Sequence, residues 1–386
     1  MQLHNASDIE AGYTIGLQKN DHHCIVLVAK ATYSMPTEDN ELANLKDKED
    51  QVVIYESDEF TEESITSAPL YENDYAPNKV KCDIVLNGSA YSFPYEDTDS
   101  KVVQLKILDS NNEPMMDKSF RVIAPHTFSQ GLFGARAQQV EPFSKQCISY
   151  NTAYGGNDFN PKKSTEEEDV YTSFVKNPSG IGYYPHQSNS EVQGKPLAQT
   201  ESINESTGRT DNTKYTPEAY GVIGRDWYPR HTFGGTYDEK WDKYQKPFLP
   251  KDFNELYYQC VPPNQQTSYL QGGELVYLKG LLPNREELRF KIPKLDVPME
   301  VIRSNGNREL LKPVIDTLTI EPDKGYFTLV YRASIELKRS IHEIDMLIVG
   351  KPNELWEKKR LYGECYEEET ETDENNQDMQ IKKEEV

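Results

Sequence analysis

Asp226, His231, Asp238 and Asp252 lie in one short stretch, interleaved with Trp227, Tyr228, Tyr237 and Trp241. Carboxylates set among aromatic rings suit glycoside cleavage, in which one acid protonates the leaving oxygen and a second serves as nucleophile or base. That chemistry requires a fixed separation across a cleft, which closeness along the chain does not provide. Each acid also has a local structural use. Asp238 follows Gly-Thr-Tyr and is placed to cap the helical turn containing Trp241, and Asp252 follows Leu-Pro-Lys and is placed to cap a turn at Phe253. A carbohydrate-active hydrolase using paired Asp residues is therefore the alternative reading.

Other chemistries find less support. His22 and His23 are adjacent, while His4, His126, His186, His231 and His342 stand alone, and none has the H-x3-H or H-E-x-x-H spacing that puts two imidazoles on one helix face. No G-x-S-x-G elbow appears, and Ser179 of Asn177-Pro178-Ser179-Gly180 reads as part of a turn. Gly221-x-x-Gly224 and Gly180-x-Gly182 lack the following Lys-Ser/Thr of a phosphate loop. Residues 109–114 are acidic and Asn-rich but lack the spaced ligands of a calcium loop, and read as a turn. Neither a metal nor another cofactor is expected.

What residues 221–265 do have is stiffness. Glycines allow positive φ or close backbone approach, and prolines fix φ near −65°. Pro229, Pro247, Pro250, Pro262 and Pro263 would each cost about 3 kcal/mol inside a helix, so the segment reads as a long ordered loop system held by aromatic packing. One reading is a plug closing a sheet edge; the other is a recognition surface for another chain. Tyrosine is abundant, at 25 residues, and Tyr, Trp and Arg dominate binding hot spots. Tyr154, Tyr183, Trp227, Arg230, Tyr237 and Trp241 are anchor candidates on this ground, with Tyr184, Tyr220 and Tyr228 beside them. Asn177, Asp238, Asp252 and Phe253 complete the set of protein-binding candidates. Aromatic residues are also well buried on average, so any one of them equally suits a core.

The elements that must position this segment are strands. Residues 24–33 form a near-continuous apolar run of the kind buried on both faces. Residues 80–93 alternate around Val85 and a turn-prone Asn87-Gly88, and residues 102–108 alternate cleanly. Strand signal returns at 274–278 and 288–292, and 317–320 is joined to 326–337 through Asp323-Lys324-Gly325 as a hairpin. Short helices are predicted over 340–350 and 354–362, and residues 162–169 and 187–216 read as surface excursions. The fold class is mainly β: antiparallel, sandwich-like sheets with long ordered Gly/Pro/aromatic loops and few short helices. The expected organisation is an N-terminal β region (1–150), a loop-rich region (151–265), a C-terminal β region with short helices (266–363) and a tail (364–386).

The chain of 386 residues carries 42 Lys+Arg against 64 Asp+Glu, a net charge of −22. Such a surface repels phosphate backbones and attracts basic partners, so nucleic acid is not an expected partner. Ten acids against two lysines fall in 364–386, which reads as a disordered acidic tail, and 38–63 reads as a solvated acidic loop. Cys24, Cys82, Cys147, Cys260 and Cys365 are widely spaced and read as free thiols of a reducing compartment. No charged leader with an apolar core opens the sequence, and no apolar run is long enough to span a bilayer, so a soluble cytoplasmic protein without a membrane partner is expected.

Several motifs occur in a definite order: Asp74-Tyr75-Ala76-Pro77-Asn78-Lys79, then residues 83–90, Phe133-Gly134-Ala135-Arg136, Ala153-Tyr154-Gly155-Gly156-Asn157-Asp158, Asn177-Pro178-Ser179-Gly180-Ile181-Gly182-Tyr183, and the 221–265 string. Within the last, Trp227-x-Pro229-Arg230, Gly235-Thr-Tyr-Asp-x-x-Trp241 and Pro247-x-Leu-Pro-x-Asp-Phe253 are the specific elements. In this order, over about residues 20–350, the chain resembles the domain of unknown function 2169 family. Gln138 stands where an aromatic is usual and Asn264 where an Asp is usual. The resemblance implies an adaptor or chaperone for a type VI secretion toxin effector, helping to load it onto the VgrG spike or a PAAR-type tip. It supplies no catalytic residues.

Overall fold

A computed structural model describes residues 1–362 apart from 65, 95, 132–133, 140, 206–214 and 339–340. The acidic segment 364–386, with Cys365, lies outside the described residues, as do 206–214. Residues 187–216, expected as a surface excursion, instead bury Val192, Leu197 and Ala198 and pair Thr200–Glu201 with Pro114–Ile123, since apolar side chains in the segment find places in the fold.

The apolar run at 24–33 becomes the strand His23–Ser34, buried at every position from Cys24 to Tyr33. A strand with no polar alternation has to be covered on both sides, and its place in the sheet provides this. It lies between Glu10–Leu17 and Tyr326–Glu336, antiparallel to both. The full order of this six-stranded sheet is Gln266–Thr267, Cys82–Leu86, Val314–Glu321, Tyr326–Glu336, His23–Ser34, Glu10–Leu17, with Cys82–Leu86 and Val314–Glu321 the parallel pair. The expected hairpin closes through Gly325, whose φ of 72° suits glycine.

The alternating run near 102–108 forms Ser100–Leu108, which buries Val103, Leu105 and Ile107. Its partner Pro114–Ile123 buries Met116, Phe120 and Val122. Asp109 closes the turn between them by accepting from the backbone N–H groups of Asn111 and Glu113 at 2.8 and 2.9 Å. The five-stranded sheet runs Thr200–Glu201, Pro114–Ile123, Ser100–Leu108, Leu275–Lys279, Glu287–Lys291. Its apolar residues join Ile25, Leu27, Leu318 and Leu329 of the six-stranded sheet in one core, which makes the two sheets a sandwich. The chain is thus mainly β with mostly antiparallel sheets, as its patterning predicts.

A four-stranded sheet corrects one expectation. Residues 340–350, predicted as a helix, include the strand Ile344–Gly350, which lies parallel to Gln2–Ala6 and antiparallel to Met299–Arg303. Its Leu347 and Val349 belong to the main core, so tertiary pairing decided a short run whose local preference was ambiguous. The helix Glu354–Tyr362 forms as expected, and Trp356 stacks on His4 at 4.2 Å between ring centroids. Between residues 151 and 265 the described strands are only two or three residues long.

Candidate functional site

One face of the six-stranded sheet meets the apolar core. The other carries Lys30, Thr32, Asp83, Asp316, Glu321, Thr328 and Arg332, all buried. Charges removed from water need close partners, and each finds one. Lys30 Nζ lies 2.9 Å from Asp74 and 3.9 Å from the centre of the Tyr55 ring. Lys79 Nζ lies 2.7 Å from Asp83 and donates to Thr317 at 3.0 Å. Arg332 pairs with Asp316 through two nitrogens and also donates to the carbonyls of Asp74 and Ala76. Burial pulls the Lys79 pKa down, but Asp83, Cys260 and Asp316 together outweigh it and the net shift is upward. The void left within this layer is only about 30 Å³, so the cover fits closely.

That cover is largely the loop 51–79, which supplies Val52, Tyr55, Tyr71, Asp74 and Lys79, with Val222 and Cys260 of the 221–265 string beside it, and the string is fastened at fixed points. Asp83 accepts from the Gln259 side chain at 2.8 Å and the Cys260 backbone at 2.9 Å. Gln265 donates to the carbonyls of Ile84 and Tyr220 and accepts from buried Lys118 at 2.8 Å. Arg230, 1% exposed, binds Glu72 in a two-pronged pair and donates to the carbonyls of Ile223 and Tyr257. Arg225 makes a similar pair with Asp58 at 2.7 and 2.9 Å. Gly224 allows the chain to turn beneath Trp227, since a Cβ there would lie 2.5 Å from the indole nitrogen. The string and the loop 51–79 are thus held to one another by ion pairs as well as by aromatic packing.

The sequence-selected residues divide into two groups. Tyr154, Asn177, Trp227, Arg230 and Phe253 are buried. Tyr154 packs edge-on against Phe174 and Tyr215, with the half-buried Tyr183 beside them. Asn177 donates to the carbonyls of Tyr150 and Tyr154, and its own carbonyl accepts from Gly156, which joins two of the ordered motifs. Trp227 meets Tyr150 edge-on at 5.5 Å. These side chains hold the scaffold.

Tyr237, Asp238, Trp241 and Asp252 instead belong to an excursion running from Gly234 to Phe253. It is closed at its foot by Asn254 N–H donating to the Phe233 carbonyl at 2.9 Å. Asp238 caps the helix Glu239–Tyr244 as expected, accepting from the Trp241 backbone at 2.8 Å. Asp252 does not cap a turn at Phe253 through a bond to that residue's backbone. It reaches across the foot and accepts from the N–H and hydroxyl of Thr236 at 3.0 and 2.7 Å. Gly235 makes this closure possible, with φ of 83° and Pro250 too close for a Cβ. Tyr237 meets Trp241 edge-on at 4.6 Å, and Trp241 donates to the Phe248 carbonyl at 2.8 Å. Tyr237 and Tyr244 are 57% and 73% exposed, with Tyr228 and Phe248 also exposed.

The chemistry of these groups is that of positioning. The Thr236 hydroxyl and N–H hold the Asp252 carboxyl below its usual range, the reverse of what a proton donor needs. Burial pushes the Cys82 and Cys260 thiols well up, away from the thiolate a nucleophile requires. Among the described residues no cluster of three His, Cys, Asp or Glu is arranged to hold a metal, and no helix is long and apolar enough to cross a membrane. Reading from sequence missed Asp58, Glu72, Asp83 and Gln259, although Glu72 and Asp83 flank or open motifs that were recognised. A buried charge leaves no periodic signal of its own.

No curated protein and no solved structure matches this chain. Residues 20–332 match the family described as an uncharacterized protein conserved in bacteria (DUF2169), and the chain is a member of that family.

Proposed function

We propose that this protein is an adaptor or chaperone that binds a type VI secretion toxin effector and helps load it onto the VgrG spike or PAAR-type tip. The observation that carries the reading is the excursion between Gly234 and Phe253. It exposes Tyr237, Tyr244 and Phe248 while its foot is fixed by Asp252, Gly235 and Asn254. Exposed aromatic residues on a stiff mount lose little freedom when a partner covers them, which suits a binding hot spot. The hydrolase alternative draws less support, because Asp238 and Asp252 are both engaged in holding the excursion together.

Net charge of −22 suits a basic effector through long-range steering. Co-expression with the product of the adjacent gene tests the reading. Wild-type protein is expected to co-purify with it, and Tyr237→Ala combined with Tyr244→Ala is expected to lose it while keeping a native unfolding transition. Undiminished co-purification by that folded double variant would remove the excursion from the interface.

A further inference from the structure

At the foot of the excursion lies a second concavity that none of the groups above occupies. It has a volume of about 130 Å³ and is walled by Ile223, Pro229, Phe233, Leu256, Val261 and Pro263. An apolar cavity of about 150 Å³ is enough to hold a benzene ring, so this one takes a single aromatic or branched side chain. Its walls come from two short 3-10 turns, Arg230–Phe233 and Pro263–Gln265, and from Leu256 in a third, Glu255–Tyr258.

Two cations also line it, and they are not equivalent. Arg230 is matched by Glu72. Lys81 is exposed, and no carboxylate among the described residues lies within ion-pair distance of its ammonium group. The lining amides are committed elsewhere: Gln259 bonds Val80, Lys81 and Asp83, and Gln266 donates to the Val261 carbonyl at 2.8 Å. An apolar socket thus shares its lining with one unmatched positive charge, on a chain whose net charge is strongly negative.

We infer that this socket captures the C-terminal residue of a partner chain, its apolar side chain entering the cavity and its terminal carboxylate meeting Lys81. The charge complementarity chooses this occupant. Lys81 lines the same cavity as the apolar walls, so the carboxylate it meets belongs beside the inserted side chain, and a chain terminus supplies both on one residue. The inference deepens the adaptor reading and rests on it for the identity of the partner, though not for the socket itself.

The test is a titration of the full chain, labelled at Ile, Leu and Val methyl groups, with N-acetyl-phenylalanine and with its neutral amide, followed by NMR. The expected result is saturable shifts at Leu256, Val261 and Ile223 with the acid, and binding at least fivefold weaker for the amide. Lys81→Gln should erase that difference, and Leu256→Trp, which fills the cavity, should abolish the shifts. Shifts that never saturate, equal binding of acid and amide, or equal binding of an internal Asp-Phe peptide with blocked ends would each overturn the inference. Those failures leave the adaptor reading standing on Tyr237 and Tyr244. Loss of effector co-purification despite a working socket would remove that reading alone.

Discussion

The two faces of the six-stranded sheet are covered in opposite ways. On one, Ile25, Leu27, Leu318 and Leu329 meet the apolar face of a second sheet. On the other, Lys30, Asp83, Asp316 and Arg332 meet loops that bring Asp74, Lys79, Gln259 and Cys260 to fixed positions. Apolar packing rewards any arrangement that fills the space, within limits of shape. A buried ion pair rewards only an arrangement that brings the correct partner to the correct place, and leaves a heavy penalty when it does not. The contrast explains how loops almost without regular structure hold one conformation: ion pairs and hydrogen bonds fix the loop 51–79 on the sheet, and the 221–265 string is tied to that loop through Arg225 and Arg230 and to the sheet through Asp83 beside apolar packing on Val85.

The largest effect should come from leaving a charge unmatched. Asp316→Ala strands the buried guanidinium of Arg332 and is expected to cost about 3–5 kcal/mol in urea unfolding. Replacing both partners, with Arg332→Met and Asp316→Leu, should recover most of that loss. If the single variant unfolds like the wild type, the charged face has no such role. On the apolar face Leu329→Ala should cost about 2–5 kcal/mol, and no second substitution elsewhere in a pair should rescue it. The comparison is sharpened by that difference in rescue more than by the size of either loss.

The same contrast marks what the sequence made legible. Strands whose partners lie in the apolar core were readable, because Val103, Leu105 and Ile107 repeat with period two and residues 24–33 are apolar throughout. The stiffness of 221–265 was readable from its prolines, and the cap at Asp238 from its place before Trp241. The hairpin joining Met299–Arg303 to Arg308–Leu311 shows its turn in Asn305-Gly306, while its strands carry little of the alternation seen at 102–108. What sequence could not give was which aromatic residues are buried. Trp227 and Tyr237 stand ten residues apart in one motif-rich string, yet one packs on Tyr150 and the other faces outward. The separation depends on pairs such as Arg230 with Glu72, whose members are far apart in the chain.

A smaller effect is expected at the cap. Asp238→Ala removes the acceptor for the Trp241 N–H and should cost about 1 kcal/mol. The helix Glu239–Tyr244 is short and lies in the exposed excursion, so this loss should appear as faster amide exchange at Trp241 and its neighbours. Faster exchange across the six-stranded sheet as well would show that the excursion and the sheet open together, and would break the distinction between mount and surface.

The smallest change in stability should accompany the largest change in binding. Tyr244 is 73% exposed, and truncating such a side chain away from the ion-pair layer should alter unfolding by no more than about 0.5 kcal/mol. If its ring contacts the effector as an anchor, Tyr244→Ala should weaken that complex by about 2 kcal/mol, a loss of roughly thirtyfold in affinity measured by calorimetry. Trp227→Ala provides the opposite case within the same string. Its indole is buried against Tyr150, so its removal should lower stability by about 3–5 kcal/mol and weaken binding only through loss of folded protein. Equal behaviour of the two variants in both measurements would mean that scaffold and surface are one unit, and that burial does not divide the aromatic residues by role.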